Sequence, residues 1–162
     1  MNHLIEVVFF WYKISNFTVL KINNTIMKDI HSYWAYLVLV ILVFAVINAI
    51  IGFIQKKQFT DKDLRLGLFT LIVSHIQLLI GLGWYFMSPG YQSMKANGID
   101  ASNRLLAVEH PVMMILAIVF ITIGWSKHKK KTEDAAKFKT FAIFYGIALL
   151  LILAKIPWSN WL

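Results

Sequence analysis

Apolar residues in this chain fall in four long blocks rather than in stripes. The blocks cover residues 34–54, 66–87, 105–125 and 138–158. Each is close to the ~20 residues needed to cross the hydrocarbon of a bilayer. Within each block the run is continuous, without the polar–apolar alternation of barrel strands. Helices are therefore predicted, because inside lipid every backbone N–H and C=O must be satisfied within the segment. The expected fold is all-α: an integral-membrane four-helix bundle, up-down-up-down, over residues 27–162.

Residues 1–26 do not fit this pattern. The run VVFFWY is too short to span, and Glu6 sits beside it. There is no basic opening and no small-residue cleavage site, so a signal peptide is not expected. Two readings stay open for this extension. It lies along the interface as an amphipathic segment, or translation starts at Met27, just before KDIHSYWAYLVLV.

Composition narrows the classes. The 162 residues are 59% hydrophobic and carry no cysteine. Disulfides, Cys-ligated Fe–S clusters and c-type haem attachment are thereby excluded. The formal charge of +8 would suggest nucleic acid in a soluble protein. Here its distribution gives a different answer. The first connection holds Lys56, Lys57, Lys62 and Arg65, and the third holds Lys127, Lys129, Lys130, Lys131, Lys137 and Lys139. The middle connection has only Lys95 and Arg104. The positive-inside rule puts the first and third loops in the cytoplasm and both termini outside, at a bacterial inner membrane. The expected partner is the bilayer, not a nucleic acid.

Chemistry must come from the few polar residues inside the blocks. Glu109 and His110 stand about one turn into the third, and ionisable groups at such depth mark cofactors, ion paths or polar partners. His31 lies at the outward mouth of the first block, before the interfacial aromatics Tyr33, Trp34 and Tyr36. His75 sits on the second, beside Ser74 and Gln77. The outward half also contains Arg104 and Lys155. His128, in the KHKKK run, reads as a solvated loop residue. Pro111 allows a kink or a late start to the third helix.

Histidines on antiparallel membrane helices suit haem b, since neutral imidazole is a common axial ligand. His31 with His110 is one pair, and His75 with His110 an alternate; depth does not choose between them. Arg104 and Lys155 would hold propionates. Glu109 would support a histidine on another helix, because helical neighbours point ~100° apart. The plainer readings are an interfacial His31, a His75 that ties helices together, and a Glu109–His110 pair that satisfies a partner helix.

The segments HSYWAYLVL, SHIQLLIGLGWYF, AVEHPVMMILAIVFITIGWSK and LAKIPW resemble a family of small four-span bacterial membrane proteins described as cytochrome b-like. More distantly the chain is similar to one half of the haem A synthase family. That resemblance implies haem-ligand positions at His31 and His110, with QLLIG (residues 77–81) between them. Glu109 departs from it, being adjacent to a histidine rather than a turn before one. A single half also implies one haem site, or association of two copies for a second. The expected function is electron carriage near the periplasmic face with a respiratory or other membrane-complex partner. Alternatives are a non-catalytic structural or assembly subunit, and a proton or small-solute path through Ser74, His75, Gln77 and Glu109.

Overall fold

A computed structural model describes the backbone of residues 2–161 and the side chains of residues 24–159. His3 and Trp161 have side chains outside that range. The protein is all-α, with no strand among the described residues. Four long helices dominate: α1 (Asn2–Ile54), α2 (Asp61–Tyr85), α4 (His110–His128) and α5 (Asp134–Lys155). A short α3 (Pro89–Asn97) and a terminal turn, α6 (Trp158–Trp161), complete it. Helix α1 packs on α2 and α5, and α4 packs on the same two, which makes a square antiparallel bundle.

Four stretches are long and apolar enough to cross a membrane: Asn24–Ile54, Asp61–Tyr85, Leu105–His128 and Asp134–Lys155. Their outer surfaces are apolar too. Phe44, Leu79 and Leu150 are 62%, 69% and 68% exposed. A water-soluble bundle would hide such residues, whereas lipid tails solvate them. The buried interior is correspondingly narrow and built partly from small residues, Ala45, Ala49, Ala117 and Ala148 around Leu42, Ile121 and Tyr145. Small residues let membrane helices approach closely, where dispersion contacts replace the hydrophobic drive.

Helix limits follow local chemistry. Asp63 accepts the Thr60 backbone N–H and the Asn48 amide, each at 2.8 Å, so one carboxylate caps α2 and ties it to α1. Helix α5 stops at Lys155, three residues before the predicted limit of Trp158. Ile156 precedes Pro157 and takes the extended conformation that a proline imposes on its predecessor. The middle connection contains a helix the apolar pattern could not reveal. Ser88 accepts the Tyr91 N–H, Pro89 stands at the first turn, and Gly98 closes α3 at φ 79°.

Pro111 does not delay the third span, which is helical from Leu105. It has no N–H for the carbonyl of Ala107. The chain responds with one π-turn, Leu105–Glu109, in which the His110 N–H reaches Leu105 O, five residues back. The Tyr85 hydroxyl donates to the Ala107 carbonyl at 2.9 Å, in place of the amide that proline lacks. Single π-turns of this kind recur at functional sites.

Candidate functional site

The two ends of the bundle differ. The basic end carries the lysine-rich connections. The opposite end carries His31, His110 and an ion cluster, and is termed the histidine end.

His31 rests on one face of α2. Gln77, Gly81 and Trp84 lie four and then three residues apart and so share that face. Trp84 stacks on the imidazole, with ring centres 5.6 Å apart and planes 22° apart. Gly81 leaves the room: a Cβ there would stand 3.1 Å from His31 Cε1. Gln77 Nε2 donates to the His31 carbonyl at 3.0 Å and faces ring Nδ1 at 3.1 Å. An amide nitrogen only donates, so Nδ1 accepts and the proton of the neutral ring lies on Nε2. Among the described residues Gln77 Oε1, which is buried, has no hydrogen-bond partner, and neither has the Ser74 hydroxyl one turn away.

His110 is held differently. Its Nδ1 donates to the Lys155 carbonyl at 2.8 Å. That carbonyl is free because α5 ends there. The bond fixes the Nδ1–H tautomer and leaves Nε2 as an open lone pair. The His31 and His110 rings lie 6.2 Å apart, centre to centre, with planes at 82°. A ring nitrogen lies about 1.1 Å from its ring centre, so nitrogens of the two rings come no closer than about 4 Å. That exceeds hydrogen-bond reach, so the two rings meet without a hydrogen bond between them.

Glu109 meets no histidine among the described residues. Its two oxygens bind Arg104 Nε and Lys155 Nζ, each at 2.8 Å. Neighbours on a helix diverge, yet both grip one residue: Glu109 takes the side chain of Lys155 while His110 takes its carbonyl. Arg104 and Lys155, expected to be free for propionates, share this carboxylate, and the three charges sum to +1. Arg104 follows a turn organised by Asp100, which accepts from the Ser102 N–H and hydroxyl and the Asn103 N–H. Those bonds, the Ser102 side chain foremost, hold the Asp100 carboxyl below its ordinary range.

His75 stands apart from this group. It bonds the Leu71 carbonyl of its own helix at 2.8 Å and approaches Thr122 Oγ1 at 3.4 Å. His128 is not solvated. It is 3% exposed, bonds the Trp125 carbonyl and lies against the Phe141 and Trp125 rings, 4.5 and 4.6 Å away.

Sequence reasoning passed over Tyr85 and Trp84 as site residues. A signal existed: a glutamine, a glycine and a tryptophan at 77, 81 and 84 define a helix face able to receive a flat polar ring. Tyr85 carried no such signal, because its role exists only once the π-turn has formed.

His110 presents an unprotonated Nε2, the form an axial haem ligand takes. At His31 the proton lies on Nε2, the wrong nitrogen for that role. A ligand role for Nε2 needs the proton on Nδ1, and so needs Gln77 to let go of the ring: turning the amide over in place would set Oε1 against the His31 carbonyl, 3.0 Å away. Groups of three or more His, Asp or Glu residues able to hold a bare metal ion are absent among the described residues. Comparison of the chain with family models, with curated proteins and with solved structures finds no match.

Proposed function

We propose that this is a multi-pass bacterial inner-membrane protein that binds haem b between His31 and His110, near the periplasmic face. The observation that carries this reading is the pair of imidazoles 6.2 Å apart at 82°, on two antiparallel-bundle helices. Haem would supply one-electron carriage between membrane partners. The chain's own residues have distinct tasks. Lys155, through its backbone carbonyl, sets the His110 tautomer and aim. Gln77 and Trp84 set the plane of His31. Arg104 and Lys155, with a residual single positive charge beside Glu109, attract one carboxylate at the polar boundary.

The test is an oxidised and a reduced absorbance spectrum of the protein purified after haem-replete expression. A Soret band with sharp reduced visible bands is expected. It should be lost in His110→Ala, lost or converted to a single-histidine type in His31→Ala, and kept in His75→Ala. A wild-type protein without a Soret band overturns the proposal.

A second reading rests on the double grip on Lys155. Glu109 and His110 together pin the end of α5 to the start of α4, which is what a structural subunit of a membrane complex needs. Recovery of the protein in a defined complex, free of haem, favours that reading.

A further inference from the structure

The basic end is more than a topology signal. Its two connections and their flanks hold ten Lys and Arg against four Asp and Glu, a net of +6. The histidine end, over residues 24–33, 86–110 and 153–159, holds four against three.

Beneath these charges lies a closed aromatic layer. Phe59 contacts Phe138 and Phe141, with ring centres 5.0 and 6.0 Å apart, and His128 and Trp125 continue the layer. Four lysines lie over rings at its rim instead of extending freely. Lys127 is 5.1 Å from the centre of Phe144, and Lys129 is 4.8 Å from Trp125. Lys137 is 5.4 Å from Phe59, and Lys139 is 6.0 Å from Phe53. Ring faces attract cations and hold each ammonium near the level where apolar surface gives way to water. Lys137 also pairs with Asp134 at 3.3 Å. Lys127, Lys129 and Lys139 have no ion pair among the described residues. Three ammonium groups without an ion pair among the described residues thus ring the end of a bundle whose outer surface is apolar.

We infer that this rim binds anionic phospholipid, the lysines contacting its phosphodiester groups and the exposed helix faces its chains. Zwitterionic lipid carries the same phosphate but adds a cation, which the excess positive charge disfavours. The inference is independent of the haem site.

The experiment measures the relative association of spin-labelled phosphatidylglycerol and phosphatidylcholine with the full chain in phosphatidylcholine bilayers. The wild type should prefer phosphatidylglycerol, and raised ionic strength should remove the preference. The triple variant K127Q/K129Q/K139Q should lose on the order of 100-fold in the summed electrostatic preference, about fivefold per lysine. K127R/K129R/K139R should keep it, and K28Q/K95Q, at the opposite end, should leave it unchanged. Equal association of the two lipids with the wild type overturns the proposal. So does a preference that survives the triple Gln variant or high salt, or one that K28Q/K95Q abolishes equally. Should the triple Gln variant not insert, the salt dependence and the K28Q/K95Q control decide on their own.

Discussion

Helix α4 begins and ends with a histidine. His110 and His128 are 18 residues apart, five turns of an α-helix, and so point to the same side. Both rings give Nδ1 to a backbone carbonyl. His128 takes that of Trp125, on its own helix, while His110 takes that of Lys155, on α5. Beyond that bond they differ. His128 lies against Phe59, Trp125 and Phe141. His110 faces a second imidazole and follows directly on an ion cluster. Burial therefore does not set the two apart. The less exposed ring, His128, meets aromatic rings, whereas His110 meets a second imidazole across the bundle.

The sharpest way to break this comparison is His128→Ala. It removes a ring from the packed aromatic layer and leaves a cavity. We expect a loss of about 2–4 kcal/mol, as for other large buried side chains, read as thermal unfolding in detergent. The His31–His110 pair should be untouched, so any haem spectrum should survive. A spectrum lost with His128 while the protein stays folded would show that the two ends are coupled.

Gly124→Ala probes the same end from the backbone. An added Cβ would stand 2.7 Å from the Phe144 Cβ, a stem atom that cannot swing away. Helices α4 and α5 must then separate locally. A destabilisation of about 1–3 kcal/mol is expected from overpacking, partly offset by the better helix propensity of alanine. Unchanged stability would mean that α4 and α5 do not meet this closely.

Tyr85→Phe moves the test to the histidine end. It withdraws the hydroxyl from the buried Ala107 carbonyl, the group that Pro111 already leaves without its helical amide. A loss of about 1–2 kcal/mol is expected. The π-turn that aims His110 should also loosen, seen as faster hydrogen exchange at the His110 amide. A packing role alone would move stability and leave that amide protected.

These positions also show what could be read from the chain. The four spans were legible because lipid demands long apolar runs, and the runs 66–87 and 105–125 nearly coincide with α2 and with the π-turn plus α4. The helix of the first span starts well before the apolar block at 34, because Lys28, Asp29 and His31 break the apolar run but not the helix. His128 was misjudged for a related reason. A KHKKK run looks solvated, but the helix phase sends His128 inward while Lys127 and Lys129 flank it. The sequence offered a partner helix for Glu109 and placed Lys155 at the same end, but not that the two residues pair. Lys155 is 46 residues away, and only the meeting of α4 with the end of α5 makes it a neighbour.

The smallest change should say most about the histidine pair. In Gly81→Ala the new Cβ would lie 3.1 Å from His31 Cε1, so the ring must give by a few tenths of an ångström. Alanine in a helix is worth about 0.5–1 kcal/mol over glycine, and the mild crowding should cancel most of it. Net stability should stay within about 0.5 kcal/mol of the wild type. The ring cannot hide so easily, because Trp84 covers one face and Gln77 holds Nδ1. Its displacement should shift the His31 imidazole nitrogen resonances and, if haem is bound, its visible bands. The same Gly→Ala exchange at the two ends thus separates two kinds of site. At Gly124 it should cost stability and leave the histidine pair alone. At Gly81 it should cost almost nothing and move His31. Equal outcomes at both glycines would mean that the histidine end is ordinary packing, and that the space left at Gly81 was not shaped around an imidazole.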